Sequence, residues 1–336
     1  MKKMIPTLFS LFMIHTSATS QTGAVKPNGF PSSWGVFNHY LADQASAKNT
    51  VSLTVEQWNE RVNAFDVNAL ADQLASVGTS YYFITIGQNS GYYCSPNSIY
   101  DTIVGRMPSG CSKRDLIADL AKALRAKSIK LGVYLPSGAP ENDSLAVAKF
   151  NWTKGNFRNK EFQQKWEAVI REWSQRWGKS VFAWWMDGCY FADAMYPAAE
   201  EPNFKSFARA IKVGNPQAVV AFNPGIKPRL DLLTEHADYT AGEFDFYLPL
   251  IVPYYPPRPE MTTATANGKQ THFLGFLGKW WGDGSPRFSD ELVVAYTKHV
   301  TDNGAVITWD VPVSATGKIP EEFIHQLGLL KKMKGK

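Results

Sequence analysis

The feature that most constrains the fold is the alternation of apolar, strand-like runs with helical segments along the whole chain. The run 81–86 is rich in β-branched and aromatic residues, as buried parallel strands are, and the run 130–135 is mainly apolar. Segments such as 114–127 and 160–177 carry apolar residues three and four positions apart, which is the period of an amphipathic helix. Eight strands joined by helices in about 300 residues predict a single α/β domain, a (β/α)8 TIM barrel.

The predicted elements can be placed individually. The eight strands are expected at 36–40, 81–86, 130–135, 180–186, 218–222, 239–241, 271–277 and 305–309. Helices are expected at 66–75, 114–127, 160–177, 204–213, 290–301 and 320–331. A doubly wound open sheet is the alternative, but it would have fewer strands and a glycine-rich turn after the first one. The chain has no such phosphate-binding fingerprint, so no cofactor is expected.

The first twenty residues have the three-part pattern of a secretory signal. Lysines at positions 2 and 3 precede an apolar run over 4–14, and small residues at 18–20 stand just before Gln21. The apolar run is shorter than the ~20 residues that a membrane-spanning helix needs, and no later stretch is long and apolar enough. We therefore expect an exported protein, secreted or periplasmic, with residues 1–20 as the signal peptide and 21–336 as the barrel.

Charge and metal-ligand spacing exclude two classes of partner. The formal charge of +5, from 35 basic and 30 acidic residues, is scattered, whereas nucleic-acid binding needs a clustered basic face. The six His form no His-x-His or His-Glu-x-x-His motif and no Cys-x-x-Cys occurs, so no metal site is expected. In an exported chain Cys94 and Cys111, which flank a Ser-, Pro- and Gly-rich stretch, are the expected disulfide pair, leaving Cys189 as a thiol.

Polar, acidic and aromatic residues collect at the carboxyl ends of the predicted strands, where TIM barrels hold their active sites. Asp187 ends the fourth strand and Glu243 follows the sixth. The further candidates for substrate binding are His39, Gln88, Asn89, Tyr134, Trp185, Asn223, Trp280 and Trp309. Two carboxyl groups with aromatic platforms are the equipment of a glycosidase, so an oligosaccharide or polysaccharide substrate is expected.

Each candidate also has a purely structural interpretation. Asp187 precedes a glycine, and Asp-Gly is a common turn signal, so only its position after a strand favours catalysis. Glu243 could be a loop residue whose role belongs to its neighbour Asp245. His39 could be a hydrogen-bonded core histidine, and the tryptophans could be core residues.

The order of motifs from residue 34 to residue 330 resembles the α-L-fucosidases of glycoside hydrolase family 29. The segment 35–40, Gly-Val-Phe-Asn-His-Tyr, is similar to the family's Gly-hydrophobic-Phe-x-His-Trp start. The segment 185–188, Trp-Met-Asp-Gly, resembles Trp-Phe-Asp-Gly, whose aspartate is the family's nucleophile. The segment 317–320, Gly-Lys-Ile-Pro, resembles the family's closing Gly-x-Ile-Pro. The resemblance covers the barrel only.

The resemblance implies a retaining mechanism. Asp187 would form a covalent glycosyl-enzyme, and Glu243 is the candidate for the acid that then becomes the base. The two carboxyl groups should then lie ~5 Å apart. An exo-acting α-L-fucosidase-like activity is the expected function, and the alternatives are a glycosidase for a different sugar and a barrel that binds glycans without cleaving them.

Two departures from the family pattern bear on the sugar. The family has His-His-Asp-Gly-Phe after the second strand, where this chain has Gln-Asn-Ser-Gly-Tyr at 88–92. Gln88 and Asn89 can bond hydroxyls but carry no charge. The family's Asn-Asp-Arg after the fifth strand is Asn-Pro-Gly at 223–225, so the arginine is missing unless Arg229 replaces it. The departures leave open another sugar of related shape, or a fucose-containing marine or plant polysaccharide.

Overall fold

The computed structural model describes residues 29–31, 34–43, 53–155, 157–226, 232–249, 265–266 and 268–335. The strands are β1 Trp34–Asn38, β2 Tyr81–Thr85, β3 Lys130–Pro136, β4 Val181–Asp187, β5 Val219–Phe222, β6 Thr265–Ala266, β7 Lys269–Gln270, β8 His272–Phe276 and β9 Val306–Asp310. The helices are α1 Val55–Asn63, α2 Val67–Val77, α3 Ser98–Val104, α4 Leu116–Ala126, α5 Ser144–Phe150, α6 Lys160–Trp177, α7 Ala192–Met195, α8 Phe204–Lys212, α9 Asp290–Asp302 and α10 Glu321–Lys331. Short 3-10 turns follow α6 and α10, at Gly178–Ser180 and Lys332–Gly335.

Seven strands pair in parallel in the order β5-β4-β3-β2-β1-β9-β8, and β6 pairs antiparallel with β7 apart from them. Parallel neighbours joined by helices around a curled sheet confirm the predicted barrel architecture. The predicted boundaries of seven strands agree with the structure to within two residues. This arrangement brings the carboxyl ends of all seven strands to one mouth.

The predicted sixth strand, 239–241, is not a regular strand. It makes isolated parallel bridges, Tyr239 with Gln270 and Glu243 with Leu274. The backbone of Gly242 has φ +64°, and a Cβ there would lie 1.9 Å from a β8 carbonyl oxygen, so an extended side-chain-bearing strand cannot continue through this point. The segment 238–244 nevertheless closes the gap between the outer strands, because the 238 amide donates to the β5 carbonyl of residue 220 at 2.8 Å and the 244 amide to that of residue 274 at 3.0 Å.

The strands are buried on both faces, and their period of two separates an inner core from an outer one. On β4, Trp184 faces outward to α6, with its ring 5.8 Å from Trp177, whereas Trp185 faces the barrel interior, 5.8 Å from the ring of His272. Aromatic residues fill the interior, among them Phe37, Phe83 and Phe182. Because side chains alternate along a strand, Asp187 shares the inward face with Trp185 and lies at the mouth.

Helix starts follow the local chemistry of the sequence. The Asp66 carboxylate accepts hydrogen bonds from the backbone amides of residues 68 and 69 and caps α2, and Asp115 caps α4 in the same way. The four helices that the periodicity misses, α1, α3, α5 and α7, are short. Helix α1 carries a capping box, in which Thr54 and Gln57 satisfy each other's backbone amides, and this signal was readable in the sequence.

The expected disulfide between Cys94 and Cys111 is wrong, because all three cysteines are buried and unpaired. Tyr93 pairs with Cys111 in a parallel bridge, and alternation then turns the side chain of Cys94 to the opposite face. There the Cys94 thiol donates to the carbonyl oxygen of Thr85 at 3.6 Å. Burial raises the pKa of both thiols, so neither is a reactive thiolate.

Some predictions concern segments outside the described residues, namely the signal peptide at 1–20, the start of the mature chain at Gln21, and Arg229. Within the described ranges, no helix combines the length and the apolar composition that crossing a bilayer requires.

Candidate active site

Asp187, the last residue of β4, receives hydrogen bonds from three side chains at the barrel mouth. The Tyr134 hydroxyl donates to Oδ2 at 2.7 Å. Asn223 Nδ2 donates to Oδ1 at 2.6 Å, and Trp185 Nε1 approaches the same oxygen at 3.5 Å. Tyr134 lies on β3 and Asn223 directly follows β5, the two strands that flank β4. Parallel pairing therefore supplies the donors that hold this carboxyl in one orientation.

Glu243 lies beside Asp187 and shares one of its donors. Asn223 Nδ2 also donates to Glu243 Oε2 at 2.6 Å, so a single amide nitrogen contacts both carboxyl groups. Two oxygens at that distance from one nitrogen can be at most twice 2.6 Å, about 5.2 Å, apart. Retaining glycosidases hold their two carboxyl groups about 5–5.5 Å apart, whereas inverting enzymes separate theirs by about 6.5–9.5 Å. This upper limit agrees with the retaining separation and is shorter than the inverting one.

The protonation of Glu243 follows from its surroundings. Burial, and then the charge of Asp187, raise the pKa of Glu243 to about 8, against a weaker opposite effect of the Asn223 hydrogen bond. At neutral pH this carboxyl is therefore mainly protonated and can donate a proton.

His39 is held at the mouth by a buried carboxyl. His39 Nδ1 lies 2.9 Å from Asp310 Oδ1 at the end of β9, and the Gly282 amide donates to the other oxygen at 2.5 Å. Burial raises the pKa of Asp310, and the contact with His39 opposes that rise. With Nδ1 engaged by Asp310, Nε2 is the second hydrogen-bonding nitrogen of a ring that lines the cavity. Asp310 is thus the group that orients His39.

We expect Asp310→Asn to lower kcat/KM about ten- to a hundredfold, because a charge-assisted hydrogen bond that fixes His39 is lost. A double-mutant cycle with His39→Ala separates positioning from damage to the fold. If Asp310 acts through His39, Asp310→Asn costs far less in the His39→Ala background than alone. Equal costs in both backgrounds contradict the positioning role.

Most of the predicted site residues meet in one cavity of about 220 Å³. Its lining includes seven of them, His39, Gln88, Tyr134, Trp185, Asp187, Glu243 and Trp280. Asn223 acts through its hydrogen bonds to the two carboxyl groups, and Asn89 lines a neighbouring cavity that also touches Asp187. The alternative to Glu243, Asp245, is not among the lining residues of either cavity.

The prediction that Trp309 contacts the substrate is wrong, because its side chain is fully buried and lies away from the cavity. Its indole Nε1 donates to Thr297 Oγ1 on α9 at 2.9 Å, and its ring packs 6.0 Å from that of Tyr296. Since Asp310 next to it points into the mouth, alternation along β9 directs Trp309 outward. It is a core residue between the barrel and α9, so we withdraw it from the substrate-binding set.

Tyr190 lines the cavity although the sequence pattern did not select it, and Trp281, the second tryptophan of the pair at the barrel rim, lines it as well. Tyr190 follows Asp187 by three residues, and its side chain is half exposed, at 51%. A Cβ at Gly225 would lie 2.8 Å from the Tyr190 ring, so glycine at that position makes room for the ring. Trp281 adjoins the predicted Trp280, and its ring lies 5.6 Å from that of His39. Proximity in sequence to chosen residues was the available signal for both.

The described part of the chain contains no cluster of three or more His, Cys, Asp or Glu that could hold a metal ion.

A (β/α) barrel with a close carboxyl pair and an aromatic-lined cavity has the fold and site of the glycoside hydrolase class. Within that class, the chain belongs to the α-L-fucosidase family, since the family model described as alpha-L-fucosidase matches residues 34–243, more than half of the sequence. The resemblance inferred from the motifs is thereby confirmed. No curated protein matches the chain by sequence.

Solved structures share the fold at low sequence identity. The endo-fucoidan hydrolase MfFcnA4 of glycoside hydrolase family 107 superposes with a TM-score of 0.68 at 18% identity, covering 89% of this chain and 52% of the other. The chain thus spans about half the length of that enzyme. The α-L-fucosidase AlfC from Lactobacillus casei, in complex with α-L-fucose, gives a TM-score of 0.60 at 15% identity over 90% of this chain and 95% of its own. A bacterial fucosidase with an iminocyclitol inhibitor gives 0.59 at 16% identity over 90% and 72%.

Proposed function

We propose that the protein hydrolyses α-L-fucosidic bonds with retention of configuration, using Asp187 as nucleophile and Glu243 as acid and base. The observation that carries this proposal is the single amide of Asn223, which holds both carboxyl groups within the separation of a retaining pair. Membership of the α-L-fucosidase family supports fucose as the sugar. A glycan-binding barrel without catalysis is disfavoured, because it has no need of an acid with a raised pKa beside a second carboxyl.

In the first step, a carboxylate oxygen of Asp187 attacks the anomeric carbon and forms a glycosyl ester. The bond from that carbon to the glycosidic oxygen breaks, the electron pair leaves with the oxygen, and Glu243 gives this oxygen its proton. In the second step, Glu243 takes a proton from water and the water oxygen bonds to the anomeric carbon. The ester bond then breaks, and Asp187 recovers its carboxylate.

The same two residues explain how the proton is returned. The charge of Asp187 is one cause of the raised pKa of Glu243. Esterification removes that charge, so the pKa of Glu243 falls in the intermediate and the carboxylate form needed to activate water becomes favoured. The acid of the first step thus becomes the base of the second without a further group.

The remaining cavity residues offer both hydrogen-bonding groups and apolar surface to a sugar ring. His39 and Gln88 supply hydrogen-bonding groups, and the indoles of Trp185, Trp280 and Trp281 supply apolar surface. A buried polar network together with stacking surface is how carbohydrate sites combine orientation with exclusion of water. Export of the chain is part of the proposal and is supported by the signal-like pattern of residues 1–20 alone.

The test is to follow cleavage of 4-nitrophenyl α-L-fucopyranoside by proton NMR. We expect turnover and first release of the α-anomer of fucose, which mutarotates only later. First release of the β-anomer contradicts the retaining mechanism. Turnover of another aryl glycoside, with none of the fucoside, contradicts the choice of sugar but keeps the carboxyl pair.

A further inference from the structure

A second cavity of about 110 Å³ adjoins the one that holds the carboxyl pair. The two share Gln88, Asp187 and Tyr190 as lining residues, so they are neighbours at the barrel mouth. Glu243 lines the first cavity only. The second cavity therefore adjoins Asp187 and does not reach Glu243.

The wall of the second cavity is built from packed side chains. The Trp152 ring lies 4.3 Å from that of Phe162 on α6, and a Cβ at Gly138 would come within 2.7 Å of the indole, so glycine allows the close approach. Tyr190 lines both cavities. Rigid aromatic surface of this kind binds a pyranose face at little cost in conformational entropy.

The polar groups of this cavity are balanced in charge. Lys154 Nζ lies 3.0 Å from a carboxylate oxygen of Glu141 and 5.7 Å from the centroid of the Tyr190 ring. Because Glu141 neutralises Lys154, the pair offers a donor and an acceptor without excess positive charge. Asn89 and Gln88 add amide groups of both kinds. This combination suits neutral hydroxyl groups better than a sulfate or a carboxylate.

We infer that this cavity is a second glycone subsite for an uncharged pyranose attached to the fucose unit bound beside Asp187 and Glu243. In a retaining glycosidase the acid stands next to the leaving group, and the nucleophile attacks from the opposite face of the sugar. A cavity that touches Asp187 but not Glu243 thus lies on the glycone side. The inference rests on the proposed function and extends it, because the enzyme then cleaves within a fucose-containing chain and is not limited to terminal fucose.

The experiment compares a monosaccharide substrate with a panel of disaccharide substrates that carry the same leaving group. The monosaccharide is 4-nitrophenyl α-L-fucopyranoside. The panel consists of 4-nitrophenyl α-fucobiosides in which the outer fucose is linked to each free hydroxyl of the inner fucose in turn. For the best fucobioside we expect kcat/KM at least about tenfold above that of the monosaccharide, the effect of one or two added hydrogen bonds. The product released with nitrophenol should be the intact disaccharide.

A variant and a matched control assign the effect to the cavity. Lys154→Ala should lower the ratio of kcat/KM for the best fucobioside to kcat/KM for the monosaccharide at least about fivefold. Lys122→Ala removes an exposed lysine on α4, and this residue is distant in sequence from the residues of the mouth and lies on a different element. The variant should keep the wild-type ratio.

Three results overturn the subsite: a wild-type ratio near one, a ratio that Lys154→Ala leaves unchanged, or release of the terminal fucose before nitrophenol. Each of these can occur while the monosaccharide is still hydrolysed, so the proposed function survives them. The absence of turnover on both substrates contradicts the proposed function itself, and the subsite falls with it.

Discussion

Asp187→Asn is expected to lower kcat on 4-nitrophenyl α-L-fucopyranoside by about 10³-fold or more, with the fold intact. The amide keeps the size of the carboxylate, so the packing is kept; its one oxygen can accept from Tyr134, but its NH2 group cannot accept from Asn223 and Trp185 as the second carboxylate oxygen does. It has no negative oxygen to attack the anomeric carbon. Steady-state kinetics and a thermal melt of the same preparation measure the two consequences separately.

Asp283→Asn is the matched control, because Asp283 is an exposed carboxyl after β8 outside the two cavities. It should keep wild-type kcat. A loss of comparable size in both variants contradicts a specific role for Asp187.

Chemical rescue identifies the role of Asp187 more sharply than loss of activity. Asp187→Gly opens space at the nucleophile position, and azide entering there attacks the anomeric carbon directly. The expected product is β-L-fucosyl azide, with inverted configuration. Formation of the α-azide by this variant contradicts the assignment of Asp187 as the nucleophile.

The strands that carry the site could be predicted because composition and alternation agree there. On β4 the apolar run and the acidic residue at its end identify both the strand and its catalytic end, and the structure places Asp187 at the mouth accordingly. The sixth strand was predicted from the same composition, but its backbone is set by the approach of Gly242 to β8, a long-range contact that no local pattern reports.

The predictions for the site were wrong where they depended on whether a side chain points into the barrel or outward. Both faces of a parallel strand are buried, so a tryptophan such as Trp309 looks the same whether it points to the substrate or to a helix. Side chains alternate along a strand, so with Asp310 pointing into the mouth its neighbour Trp309 must point outward. The expected disulfide failed for the same reason, since Cys94 faces away from Cys111.

The contact on which the proposed mechanism depends could not be predicted from the sequence. Asn223 joins residues that are 36 and 20 positions away, and only the closed barrel brings them together. Asn223 was selected because it follows a strand, and that position indicated a substrate contact. The structure shows instead that its amide is hydrogen-bonded to both carboxyl groups, which makes it the residue that positions the pair.

Glu243→Ala should lower kcat/KM on an unactivated substrate, such as a fucose-containing disaccharide, by about 10²–10⁴-fold, the usual contribution of a general acid. The loss should be much smaller for an aryl fucoside with a strongly acidic phenol, which leaves without a proton. Added azide should accelerate turnover of the aryl substrate and give α-L-fucosyl azide, because it attacks the glycosyl-enzyme from the side that Glu243 vacates. Asp245→Ala, the neighbouring carboxyl, is the matched control and should keep wild-type values; a loss confined to it instead would transfer the role to Asp245.

The pH profile gives an independent measurement of the same residue. Glu243 must be protonated for the first step, and its pKa is raised to about 8, so wild-type kcat/KM on the disaccharide should be retained at neutral pH and fall as pH rises through about 8.

The free energy of unfolding of the wild type should also fall as pH rises. A folded-state pKa above the unfolded value means that stability is full below the unfolded pKa and is lost as pH rises toward the folded one. Glu243→Gln keeps a neutral side chain at every pH, so its melting temperature should gain on the wild type between pH 4.5, the ordinary pKa of a glutamate carboxyl, and about pH 8. If the difference in melting temperature between Glu243→Gln and the wild type stays constant across this range, the pKa of Glu243 is not raised. The reason for proposing Glu243 as the acid is then lost.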